Sequence, residues 1–125
     1  MKLNLELNIP PSVNKCYANI KQGGHRGRIL TEEARIWKIS AGYSAKTACR
    51  KHNWIMPEKD KKIVLEIYAF WPDKRKHDMN NLHKLICDAF EGILYPNDSS
   101  VLVRDMDYSI DRKKPRVEIV CYEKD

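Results

Sequence analysis

The 125-residue chain predicts an α/β domain of the α+β type, a small mixed sheet carrying two helices. Three observations carry that reading. Leu3, Leu5, Leu7 and Ile9 alternate with polar residues, the period of a half-buried strand. Leu82, Leu85, Ile86, Ala89, Phe90 and Ile93 recur at helical spacing. Between and after these lie further β-rich runs, so strands and helices interleave along the chain.

The first strand ends at Pro10-Pro11, where two missing amide donors interrupt a ladder. The segment 15–30 holds two short apolar pieces around Gly23-Gly24-His25-Arg26-Gly27-Arg28, which predicts a hairpin or loop with a basic tip suited to a phosphate. Thr31-Glu32-Glu33 reads as an N-cap followed by acids that favour the positive helix end. The helix is expected from Glu32 to about Lys51, with Ile36, Trp37, Tyr43, Ala48 and Cys49 buried. Lys61–Trp71, rich in β-branched and aromatic residues, predicts a long central strand stopped by Pro72-Asp73. A second helix begins near Asn80 and ends about Gly92, and Tyr95–Ser100 is a turn. Val101–Ile110 and Arg116–Glu123 read as two strands joined by the polar turn Asp111–Pro115. One domain over residues 1–125 accounts for the pattern.

Composition narrows the function. A formal net charge of +6 suits a polyanionic partner. Cys16, Cys49, Cys87 and Cys121 are scattered without the paired spacing of a zinc site, which fits free thiols and a reducing, cytoplasmic setting. The N-terminus alternates in polarity and lacks an export core, and no run is long enough to span a bilayer.

The chemistry concentrates in Lys74-Arg75-Lys76-His77-Asp78-Met79-Asn80-Asn81-Leu82-His83-Lys84, with Asp88 and Asp98 beyond it. A basic run attracts a sugar-phosphate backbone by counterion release. Carboxylates and an amide oxygen are hard ligands for magnesium, and a lysine balances charge gathering on a phosphoryl group. Each residue also has a structural use. Asp78 serves as an N-cap, Lys84 and Asp88 as a surface i,i+4 pair, and His77 and His83 as surface residues without a partner at ligand spacing. Whether Asp98 folds back onto Asp78 is not fixed by spacing.

The same residues resemble the RusA family of Holliday junction resolvases. That family carries a basic run, then D-x-D-N-L-x-K, then D-A-L/F, then an acidic pair after the helix. Here these positions read Lys74-Arg75-Lys76-His77-Asp78-Met79-Asn80-Asn81-Leu82-His83-Lys84, Asp88-Ala89-Phe90 and Asn97-Asp98. Pro10-Pro11-Ser12-Val13-Asn14 is similar to the family's N-terminal element. The resemblance implies a homodimer that binds four-way junction DNA and nicks it symmetrically with Mg2+ or Mn2+, in a recombination and repair setting that is mostly phage-borne.

Carried over by position, it implies Asp78, Asp98 and Lys84 as catalytic residues and Asp78, Asn80 and Asp98 as metal ligands. It further implies Lys74, Arg75, Lys76, His77 and Asn81 as DNA contacts, and leaves the role of Asp88 open. The departure is Asn80, which stands where the family has a carboxylate. An amide oxygen ligates a hard cation but brings no charge and cannot act as a base. A weakly active or purely junction-binding protein of the same fold is therefore the alternative reading. An RNA-directed module is disfavoured because the aromatic sheet motif of common single-strand RNA binders is missing.

Overall fold

The computed structural model describes residues 1–22 and 25–125, with side chains described outside residues 13–14 and 20–28. The basic tip expected within 23–28 lies outside the described side chains. In chain order the elements are β1 (Lys2–Leu7), α1 (Val13–Cys16), β2 (Tyr17–Gln22), β3 (His25–Leu30), α2 (Glu32–His52), β4 (Ile63–Trp71), α3 (Asn80–Phe90), a 3-10 turn (Asp98–Ser100), β5 (Val101–Ile110) and β6 (Arg116–Glu123). The interleaving of a mixed sheet with two principal helices is the α+β fold predicted.

The main sheet runs β1-β6-β4-β5, while β2 and β3 form a separate antiparallel hairpin. β4 is central, antiparallel to β6 on one side and parallel to β5 on the other. The strands joined by the Asp111–Pro115 turn are thus not neighbours, because β4 lies between them. The parallel pairing follows from the crossover through α3, which returns the chain to the end of β4 where that strand began.

One sheet face is covered by the helices. Ile63, Leu65, Ile67 and Ala69 of β4, Val117, Ile119 and Cys121 of β6, and Leu3 and Leu7 of β1 form its floor, all buried. α3 lays Leu82, Leu85, Ile86, Ala89 and Phe90 on that floor, the stripe read from sequence, with Ile93 half-buried after it.

α2 differs from expectation in which residues it buries. Trp37 and Ala48 are inside and Cys49 is partly so, but Ile36 is 56% exposed and Tyr43 67%. The buried face of α2 is Ala34, Trp37, Ala41, Ala45 and Ala48. Small side chains let the helix approach β1 and α3 closely, and the bulky apolar residues are left outside.

Local chemistry fixes the helix ends. Thr31 accepts from the Ala34 amide at 3.3 Å and donates its hydroxyl to the Lys15 carbonyl at 2.8 Å, which ties the start of α2 to α1. Asn53 closes α2 in the left-handed region at φ 54°, with three basic residues in the last turn beside the negative helix end. After α3 the chain turns at Gly92, whose φ of 82° favours glycine. Its amide donates to the Tyr95 carbonyl at 2.7 Å.

All four cysteines are free thiols. No described helix is long and apolar enough to cross a membrane.

Candidate metal and nucleic-acid site

The segment from β4 to β5 carries every residue singled out above, and α3 spaces them. At its start, Asp78 is exposed, and its carboxylate accepts from the Asn80 amide at 3.0 Å. Asp78, expected as the N-cap, stands one residue before it: the cap is Met79, with no side-chain capping bond, and the Asp78 carboxylate closes the turn that leads into the helix. Asn80 is the first helical residue and exposed, and Asn81 is half-buried.

The basic run before it is anchored at one point. His77 stacks on Trp71 with centroids 4.4 Å apart and planes 9° from parallel. Its ring bonds the Asp73 carboxylate at 2.8 Å. Asp73 also accepts from the Arg75 amide at 3.0 Å. The His77 bond, and after it the Arg75 amide, hold the Asp73 carboxyl below the usual carboxylate range. Lys74, Arg75 and Lys76 consequently project from a loop pinned to the end of β4, exposed to solvent and to any passing phosphate.

The other end of α3 gathers negative charge. Asp88, Glu91 and Asp98 each bring a carboxylate oxygen within 4.8 Å of the others. Asp88 and Glu91 are neighbours at i,i+3. Asp98 reaches them because the chain after α3 folds back on buried anchors. Leu94 and Tyr95 are fully buried, and the Tyr95 hydroxyl donates to the Cys87 carbonyl at 2.7 Å. Trp54, which follows α2, donates its indole N–H to the Leu94 carbonyl at 3.0 Å. Asn97 then caps the short turn, accepting from the Ser99 amide at 2.8 Å, and Asp98 begins it.

Lys84 stands beside this group. Its ammonium lies 3.8 Å from the Asp88 carboxylate and 5.7 Å from the centre of the Tyr17 ring. Asp88 first, then Tyr17, raise the Lys84 pKa above its ordinary value, and Asp98 adds to the push. The lysine is a fixed positive charge at neutral pH. Burial, followed by the Asp98 charge, pushes the Cys87 thiol up to about 11, so this sulfur next to Asp88 is a neutral thiol and not a competing soft ligand.

The donor set is made of hard carboxylate oxygens, the type magnesium and manganese take. Opposite ligands at about 2.1 Å from such an ion lie roughly 4.2 Å apart, so small rotations of exposed side chains suffice to close the group. Asp88 is half-buried, whereas Glu91 and Asp98 are exposed and free to make those rotations.

Of the sequence-predicted residues, α3 brings Asp98, Asp88 and Lys84 together. Asn80 opens the helix at its opposite end, roughly 12 Å along the axis from Asp88 at 1.5 Å per residue, and Asp78 precedes it. His83 faces β5 and bonds Asp105 at 2.7 Å. Glu91 was missed by sequence reasoning because it falls outside the motif. Its signal was its position one turn after Asp88.

A one-sided α+β sheet that presents carboxylates, a lysine and a basic loop along one helix defines a class of enzymes built to handle a phosphodiester backbone. Within that class the family is specific: the family model Endodeoxyribonuclease RusA matches residues 8–122, and the chain belongs to this family of endodeoxyribonucleases. A comparison with curated proteins finds no match.

Proposed function

We propose that the protein is a metal-dependent, structure-selective endonuclease that resolves four-way DNA junctions by paired, symmetric nicks, acting as a homodimer in the cytoplasm. The observation that carries the reading is the convergence of Asp88, Glu91 and Asp98 beside Lys84, in a chain of the RusA family. Asp98 and Asp88 would hold Mg2+ or Mn2+ with Glu91 as a third carboxylate. When bound, the ion supplies polarisation of the phosphoryl group and a water acidic enough to attack at neutral pH.

The chain's own residues do the rest. Lys84, held protonated by its acidic neighbours, balances charge accumulating on the non-bridging phosphate oxygens. Lys74, Arg75 and Lys76 draw in the backbone, and His77 and Asn81 border its path toward the helix. Asp78 and Asn80, which match the family's first two acidic positions, form a second station of the site at the start of α3. A homodimer suits the substrate, since an approximately two-fold junction offers each protomer an equivalent strand.

Cleavage of a synthetic four-way junction in Mg2+ and in Mn2+ tests the proposal, comparing wild type, Asp78→Asn and Asn80→Asp. Symmetric nicks by the wild type, lost in Asp78→Asn, are the expected result. An inert wild type rescued by Asn80→Asp would reject native nuclease activity and establish the junction-binding alternative, in which neutral Asn80 has disabled the station at the start of α3.

A further inference from the structure

We infer that the groove between α2 and α3 takes an unpaired DNA strand at the branch point and leads it to the acidic end of α3, with one base stacked on Tyr43. That the occupant is DNA rests on the nuclease reading of the acidic end; the path rests on the groove itself.

The groove has a volume of about 500 Å³, and its two walls carry opposite charge. One wall holds Asp88 and Glu91, two of the three converging carboxylates, so the groove opens directly onto that group. The other wall is α2, which presents Arg35, Lys38, Ile39, Gly42, Tyr43 and Lys46. These positions fall at i, i+3, i+4, i+7, i+8 and i+11, one unbroken stripe along a helix. The stripe runs roughly 16 Å at 1.5 Å per residue, room for a short single-strand site of about four nucleotides. It lies beside the buried face Ala34, Trp37, Ala41, Ala45 and Ala48, so packing on the sheet does not account for its composition.

Little balances the cations of this stripe. Arg35 has one acidic neighbour, the exposed Glu32 at 3.7 Å. Among the described residues Lys38 and Lys46 form no ion pair, and Lys46 lies over the Tyr43 ring at 5.7 Å. A polyanion approaching three carboxylates is repelled unless cations line its path. Lys84 is already paired with Asp88 at 3.8 Å, and the Lys74–Lys76 loop precedes the far end of α3. The α2 stripe supplies a positive wall on the side that the loop does not reach. None of its residues lies in the Lys74–Lys84 motif.

Cations alone would suit a duplex backbone equally well. Tyr43 and Ile39 decide for an unpaired strand. Both are large and exposed, at 67% and 49%, in a wall otherwise built of charge. A duplex shows such a wall its phosphates and sugars, whereas a splayed strand offers base faces that stack on a ring. Lys46 beside the Tyr43 ring then meets the phosphate of the stacked nucleotide. Gly42 keeps the floor between the two walls open. A Cβ there would stand 3.5 Å from Ile93 Cδ1, and a longer side chain would fill the groove. Glycine weakens the middle of a 21-residue helix, so its presence here fits a need for room.

Binding of a fluorescent oligothymidylate, read by anisotropy with Ca2+ in place of Mg2+, tests the groove without cleavage. Tyr43→Ala should weaken binding about tenfold, and Tyr43→Phe should keep most of it, because stacking needs the ring and not the hydroxyl. Lys38→Ala/Lys46→Ala should lower the slope of log binding constant against log salt by about 1.4, at about 0.7 per single-strand phosphate. A blunt duplex of equal length should bind Tyr43→Ala as it binds wild type. Circular dichroism should stay unchanged in all of these variants. A four-way junction carrying 5-iodouracil at the branch should crosslink to Tyr43 under ultraviolet light, located by mass spectrometry. Single-strand binding untouched by Tyr43→Ala, an equal loss on the duplex, or a crosslink confined to residues 74–76 overturns the inference. A wild type that nicks junctions yet gives any of those results keeps the proposed function and loses this strand path. Groove-dependent single-strand binding by a protein that never nicks rejects the proposed function and leaves the path standing.

Discussion

The two ends of α3 are built from different materials. The start carries an exposed Asp78 satisfied by its own helix amide, a neutral Asn80, and three cationic residues on a loop pinned through His77 and Trp71. The end carries three converging carboxylates and one lysine balanced against them. A helix of 11 residues therefore holds a phosphate-attracting station and a cation-attracting station apart. What reads as one motif along the chain is two charge environments in space. Cleavage and metal binding should respond differently to substitutions at the two ends.

The sharpest division is between Asp98→Asn and Asp78→Asn. Asp98→Asn should reduce junction cleavage by on the order of a hundredfold or more, because in the proposed centre it removes one of the ligands of the activating ion. It should also weaken Mn2+ binding, read by electron paramagnetic resonance. Asp78→Asn should abolish cleavage while leaving that binding intact. If Asp78→Asn releases the ion and Asp98→Asn does not, the roles of the two ends are reversed.

Glu91 probes how far the acidic end extends. Glu91→Gln keeps the shape and removes one negative charge, with an expected loss of about tenfold in Mn2+ affinity and a parallel rise in the metal needed for cleavage. An unchanged metal titration would reduce the centre to the motif residues alone. At the basic end the effect is smaller and of another kind. Lys74→Ala/Lys76→Ala should lower the slope of log binding constant against log salt by about two for junction DNA, roughly one per phosphate contact. Metal affinity should stay constant. A slope equal to wild type would show the loop does not touch the backbone.

Much of this arrangement was legible in the chain, and the failures have identifiable causes. The α3 stripe was readable because the sheet buries that whole face, so period and burial coincide at Leu82, Leu85, Ile86, Ala89 and Phe90. α2 misled at Ile36 and Tyr43 because size suggests burial, yet Ala34, Ala41, Ala45 and Ala48 are what permit close packing on β1. The place of β5 was hidden because a polar turn suggests adjacent strands, while pairing is set by the α3 crossover. Asp98 was identified by motif, but its partner Asp88 depends on long-range anchors, Tyr95 on Cys87 and Trp54 on Leu94, that no local pattern encodes.

The smallest expected effect concerns the pin that separates the two ends. Asp73 has a carboxyl held low chiefly by its bond to His77, with the Arg75 amide second. A carboxyl lowered in the folded state adds stability that is present above its unfolded pKa, about 3.9, and is lost as pH falls through the folded value. Acidification should therefore free the basic loop before it unfolds the core, seen as a change in Trp71 fluorescence ahead of the loss of circular dichroism. His77→Ala should move the Asp73 midpoint, followed by NMR, upward toward the ordinary value but not fully to it, because the Arg75 amide remains. It should leave Mn2+ binding at Asp88, Glu91 and Asp98 unaltered. An Asp73 midpoint that ignores His77 would mean the stack on Trp71, and not the ion pair, positions the loop.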